Sequence, residues 1–322
     1  MGGSLCKTDS RIPNNEIETP SNKPIYQNLE NSNPKSEQNT SNREFRAHLL
    51  KPTIQIPKQQ VQIPTIHNGL VKDRLAQLGE YKIPSSITNE GLDVTPPFQF
   101  DEDAIYLGGL KNDLFQGYGE IYWDDGTHYC GQYNKGTRCG HGRLIYPDGD
   151  AYEGDWLDDK QHGQGTYYYS DGGKYIGRFL NDLKHGEGQE TLANGETYEG
   201  DFQNGTRHGK GKLTMADVQF EGLFEKGQMI DGEYNWNDGR KYKGQIQGMK
   251  MQGHGEFWFP DGRQYKGFWV EDQKEGQGEF HFSDGSVYIG GWKNNKQNGL
   301  GKLRDKNGVV INGFWVDGNK IT

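Results

Sequence analysis

The chain has 322 residues and a formal net charge of −9, and its composition changes near residue 100: ten of the 12 prolines lie before that point, whereas 43 of the 48 glycines and all seven tryptophans lie beyond it. Beyond residue 100 there are 25 basic and 35 acidic residues, a balance that disfavours nucleic acid as a partner and whole-surface adhesion to anionic lipid. Three cysteines, Cys6, Cys130 and Cys139, are too few for a disulfide framework and fit a reducing, cytoplasmic compartment, and no apolar run is long enough to span a bilayer.

In chain order, the first feature is Met1-Gly2-Gly3-Ser4-Leu5-Cys6. Gly2 followed by small residues resembles an N-myristoylation acceptor, although Cys6 stands where Ser or Thr is usual. One myristoyl chain holds a protein at a membrane only reversibly, so Cys6, open to palmitoylation, is the expected second anchor. Residues 1–103 read as a tail that cannot bury enough apolar surface to order itself. Within it, Lys51–Ile66 alternates isoleucine with proline and reads as a stiff linker, with docking on a sheet edge as the alternative. Val71, Leu75 and Leu78 fall at helical spacing, which predicts a short helix near 70–78 between Gly69 and Gly79.

From residue 104 to 322 a unit of 22 or 23 residues recurs. Its opening positions are Tyr106, Tyr129, Tyr152, Tyr175, Tyr198, Phe220, Tyr242, Tyr265, Tyr288 and Ile311. Two residues on comes Gly, and four residues on an aromatic: Tyr133, Trp156, Phe179, Phe202, Phe224, Trp269, Trp292 and Trp315. This spacing is that of a strand with one buried face, and Gly in that row implies a ring or backbone lying over it. A polar stretch ending in Gly-x-Gly follows, then an alternating second strand, then Asp-Gly, read as the hairpin turn. The unit at Tyr198 lacks Asp-Gly, and Asp231 replaces the first Gly of Gly-x-Gly in the unit at Phe220, so altered twist is expected near 215–232. One hairpin is marginal alone, so the units must stack. The fold class is therefore all-β: an elongated open antiparallel sheet of stacked hairpins.

Tyr-x-Gly-x-Trp, a polar stretch and Gly-x-Gly before an aromatic strand resemble the MORN repeat, in nine full units and a truncated tenth over roughly 104–318. The resemblance implies a non-catalytic scaffold that links partner proteins to a membrane or cytoskeletal structure. Alternatives it carries are a ciliary or axonemal component without lipid contact and, less favoured, a regulatory module of a lipid kinase or methyltransferase. The eight aromatics are expected to form a recognition surface, the open sheet edges to permit self-association, and Ile311–Gly318 to cap one end.

Other constellations have plainer accounts. His128, Cys130, Cys139 and His141 are zinc-type ligands within one unit, but His162, His185 and His208 recur at the same turn position without cysteines, so no metal is expected. The glycine-rich stretches match no phosphate loop and precede no helix, and no nucleophile or carboxylate pair stands out, so neither cofactor nor catalytic residue is assigned.

Overall fold

A computed structural model describes residues 61–85 and 87–321. Gly2 and Cys6 lie outside them. The described residues fall into two compact units that divide between Lys241 and Tyr242.

The first unit begins with helix α1 (Gly69–Leu78) and strand β1 (Asp93–Asp101). Six hairpins follow: β2 (Ala104–Lys111) with β3 (Leu114–Trp123), β4 (His128–Asn134) with β5 (Thr137–Ile145), and β6 (Ala151–Leu157) with β7 (Lys160–Tyr168). The run continues with β8 (Lys174–Leu180) and β9 (Leu183–Thr191), β10 (Thr197–Gln203) and β11 (Thr206–Thr214), and β12 (Val218–Glu225) and β13 (Gln228–Trp236). The second unit takes up β14 (Lys241–Gln247) at Tyr242. It continues with β15 (Lys250–Trp258), β16 (Gln264–Val270), β17 (Gln273–His281), β18 (Val287–Lys293), β19 (Lys296–Arg304), β20 (Val310–Val316) and the two-residue β21 (Asn319–Lys320). The pairings are antiparallel, between neighbours in the chain. The all-β class of stacked hairpins is thus the fold.

The turns sit differently from the sequence reading. The tight turns fall inside the polar stretch, where Asp158-Asp159, Asn181-Asp182, Asn204-Gly205 and Asn294-Asn295 take positive φ at both residues. That is the twist-matched two-residue turn, which Asn, Asp and Gly tolerate best. Asp-Gly instead belongs to a wider loop. Asp125 accepts the Thr127 N–H at 2.8 Å and Gly126 bonds back to the Trp123 carbonyl.

The two glycines of Gly-x-Gly lie within the second strand and do separate work. The first, such as Gly140 or Gly163, takes φ of +56° at a bulge, where pairing jumps from Gly131↔Gly142 to Gln132↔Cys139. The second seats a ring: a Cβ on Gly142 would stand 2.3 Å from the Tyr129 hydroxyl. Where Asp231 replaces the first glycine, the bulge is shorter. Leu223↔Asp231 is followed by Phe224↔Met229, which leaves out one residue and accommodates the shorter repeat without breaking the ladder.

Residues 61–103 depart from the expected tail. β1 adds to β2, burying Phe98 edge-on against Tyr106. Asn68 caps α1, its side-chain oxygen accepting from Leu70 and Val71, and Val71 packs on Ile145 and Ala151. Arg74 is buried beneath the helix and donates to the Gly149 and Tyr169 carbonyls. Such long-range contacts leave no periodic trace in sequence.

Candidate interaction surface

Each opening tyrosine lies down along its own strand. Its hydroxyl donates to the carbonyl three residues on: Tyr152 to Asp155 at 2.8 Å, Tyr198 to Asp201 at 3.0 Å, Tyr242 to Gln245 at 2.7 Å and Tyr265 to Phe268 at 3.0 Å. The ring can do so because glycines beneath it present no side chain. Burial without ionisation raises the phenols of Tyr106, Tyr152 and Tyr198 well above the ordinary range. The aromatic four residues on packs edge-on against its own tyrosine and the preceding one. Trp156 meets Tyr129 and Tyr152 at 5.4 and 5.2 Å, and Trp292 meets Tyr265 and Tyr288 at 5.3 and 5.4 Å. Tryptophan adds a bond to the neighbouring repeat, as Trp156 Nε1 donates to the Gly142 carbonyl at 3.0 Å.

The consequence corrects the expected recognition surface. Tyr133, Trp156, Phe179, Phe202, Phe224, Trp269, Trp292 and Trp315 are each at most 5% exposed. Recumbent tyrosines bring the rings of successive repeats into contact, so the row is the core and offers no face to a partner.

The opposite face of the sheet carries the alternate residues, and over the first repeats the chain itself binds there. Residues 79–85 and 87–92 form a strap across it. The Tyr81 ring stacks between Tyr118 and His141, at 6.4 and 6.0 Å, and its hydroxyl meets His141 Nδ1 at 2.9 Å. Arg143 lies 5.5 Å over that ring, donates to the Gly79 carbonyl at 2.7 Å and pairs with Glu153 at 2.7 Å. The Asn89 side chain pairs with the backbone of Tyr118 through both its oxygen and its nitrogen, at 2.7 and 3.0 Å, as a strand would. Sequence reasoning missed this strap, whose polar residues resemble those of any linker.

The zinc-type residues are spent elsewhere. His128 Nε2 faces Glu120 at 3.2 Å, His141 faces Tyr81, and Cys130, paired in register with Arg143, is buried with its thiol pushed up by desolvation. Burial would raise Glu120, but bonds from His128, Tyr122 and Tyr118 hold it at about 2. Among the described residues no group of His, Cys, Asp and Glu is placed to hold a metal, and no helix is long and apolar enough to cross a membrane.

A row of ring-seated hairpins with one buried aromatic face and one side-chain-bearing face defines a repeat scaffold. The model of the MORN repeat matches residues 106–128, 129–151, 152–174, 175–197, 198–217, 242–262, 265–287 and 288–310, more than half of the chain. The chain belongs to the MORN-repeat family. Its repeats make it a repeat-based protein-interaction scaffold of a family that is generally non-catalytic. No curated protein matches it by sequence. Among solved structures it is similar to the TCP10 domain of Danio rerio CPAP, with 16% identity, coverage of 61% of this chain and 99% of that one, and a TM-score of 0.34. It is also similar to the SAS-4 (dCPAP) TCP domain of Drosophila melanogaster, solved with a proline-rich motif of Ana2 (dSTIL), with 14% identity, coverage of 61% and 82%, and a TM-score of 0.18. At such identities and TM-scores neither bears on this chain's partners.

Proposed function

We propose that this protein is a non-catalytic adaptor whose repeats bind partner proteins through the strap-bearing face, and whose acylated N-terminus holds them at the cytoplasmic side of a membrane. The observation that supports binding is the strap: the same kind of face already takes a segment of this chain through a stacked ring and side-chain bonds to the backbone of that face. The tether is supported by Gly2, Gly3, Ser4 and Cys6 at the chain start. Fractionation of cells tests it. Gly2→Ala should move the protein wholly to the soluble fraction, and Cys6→Ser should leave weak, reversible membrane association. If both variants distribute like wild type, the tether fails and a cytoskeletal placement without lipid contact replaces it.

A further inference from the structure

The strap's receptor has a counterpart in the second unit, where no strap crosses it among the described residues. Tyr118 and His141, the walls that hold Tyr81, each stand twelve residues after the opening aromatic of their repeats. The same positions in the repeats at Tyr265 and Tyr288 are Gln277 and Leu300. The strand between the walls contributes Cys130 to the first site and, at the same repeat position, Ile289 to the second. Arg143, which covers the Tyr81 ring, corresponds to Lys302. A shallow groove lies there, lined by Gln277, Ile289, Leu300, Lys302, Asn312 and Phe314.

Two differences say what would fill it. Leu300 pairs across strands with Phe314 where His141 pairs with Asp155, so the wall is apolar. Leu300 is 76% exposed, Ile289 50% and Phe314 39%, a cluster that single exposed hydrophobics do not make. Further along the same strand pair, Lys302 opposes Asn312, where Arg143 opposes and pairs with Glu153. The cation of the second site therefore faces an amide in place of a carboxylate.

Resting on the scaffold reading above, we propose that this groove takes an extended peptide of a partner protein. The peptide presents an aromatic ring between Gln277 and Leu300 and a carboxylate to Lys302. The ring replaces water on Leu300, Ile289 and Phe314, and aromatic anchors in such slots carry most of a peptide's affinity. The carboxylate supplies the charge that Glu153 supplies in the first site.

A labelled peptide of residues 76–92, which places Glu80 beside Tyr81, is the probe, titrated by fluorescence anisotropy against the full chain. Saturable binding is expected, weakened about tenfold or more, roughly the loss of one anchor, by Leu300→Glu and by Tyr→Ala in the peptide, and less by Lys302→Glu. Leu300 is exposed, so its variant should keep the wild-type melting temperature and circular dichroism. Absence of binding overturns the proposal, as does binding that Leu300→Glu leaves intact, which would place the peptide on the site of the chain's own strap. Sedimentation of a wild-type dimer that Leu300→Glu dissociates would assign the groove to a second copy. A rise in peptide binding on Tyr26→Ser or Phe45→Ser would assign it to this chain's own N-terminal residues; either result overturns a partner peptide. Loss of peptide binding with the Gly2→Ala release intact would fail the groove alone.

Discussion

Lys184 in the first unit and Lys274 in the second occupy the same place, nine residues after Tyr175 and Tyr265, and both are buried among aromatic rings. Lys184 is bonded to Glu190, which also pairs with Arg207 at 2.8 Å. Burial alone would lower Lys184, but Tyr169 and Glu190 raise it. Burial alone would raise Glu190, yet the two cations hold it below the ordinary carboxylate range. Lys274 lies 5.0 to 5.6 Å from the rings of Phe259, Tyr265, Phe280 and Trp292, and its Nζ has no hydrogen-bond partner among the described residues. Burial, with Arg263 adding to it, pushes Lys274 down to about 7. The difference comes from two positions. Seventeen residues into the preceding repeat stands Tyr169 in one case and Phe259 in the other. Fifteen residues into the repeat stands Glu190 in one case and Phe280 in the other. An aromatic core tolerates a lysine charged beside an acid or deprotonated without one.

The strongest test strips Lys184 of its acid. Glu190→Phe, which copies the second unit at that position, leaves Lys184 buried without a counter-charge and should cost about 3–5 kcal/mol in chemical denaturation. A loss under about 1 kcal/mol would mean that the rings alone support Lys184, and the contrast with Lys274 would vanish.

The next effect has the opposite sign. Met229 and Met251 already fill the position of Lys274 in other repeats, so Lys274→Met should fit. At pH 6 it should stabilise by on the order of 3 kcal/mol, below the roughly 5 kcal/mol that lowering a pKa from 10.5 to about 7 represents. Between pH 7 and 10.5 the unfolded chain binds a proton at Lys274 that the folded chain does not. Wild-type stability therefore rises with pH in that window, and below pH 7 the full penalty remains. Denaturation of wild type and variant from pH 6 to 9 should give curves that converge as pH rises. Parallel curves would show that Lys274 keeps its charge when folded.

The smallest effect is expected from removing the first unit's charges together. Lys184→Met with Glu190→Phe should restore stability to within about 1 kcal/mol of wild type, because a buried ion pair contributes little beyond a well-packed apolar pair. Arg207, lying 4.8 Å over the Tyr198 ring, keeps a cation–π contact. If the double variant is as unstable as Glu190→Phe alone, the pair holds more than its own charges in place.

Much of this molecule is legible in its sequence because the repeat is local. A period of 22 or 23, Gly two residues after Tyr and Gly-x-Gly before an alternating strand suffice for stacked hairpins, and even for a ring over the glycine, since Tyr129 covers Gly131 and Gly142 within 20 residues. The position of the tight turn at Asp158-Asp159 was hidden by the louder Asp-Gly, because Asp-Gly suits a four-residue loop as readily as a two-residue one. What only tertiary structure decided depends on residues far apart in the chain. Whether Trp156 or Trp292 stands exposed or buried depends on rings from the preceding repeat. Tyr81 finds Tyr118 and His141 across 37 and 60 residues, through stacking that no spacing announces. Glu190 and Phe280 sit at the same step of the same pattern, yet only Glu190 gives a buried lysine a counter-charge. Periodicity in a sequence records which face a side chain takes. It does not record what lies on that face, and desolvation and pairing act there.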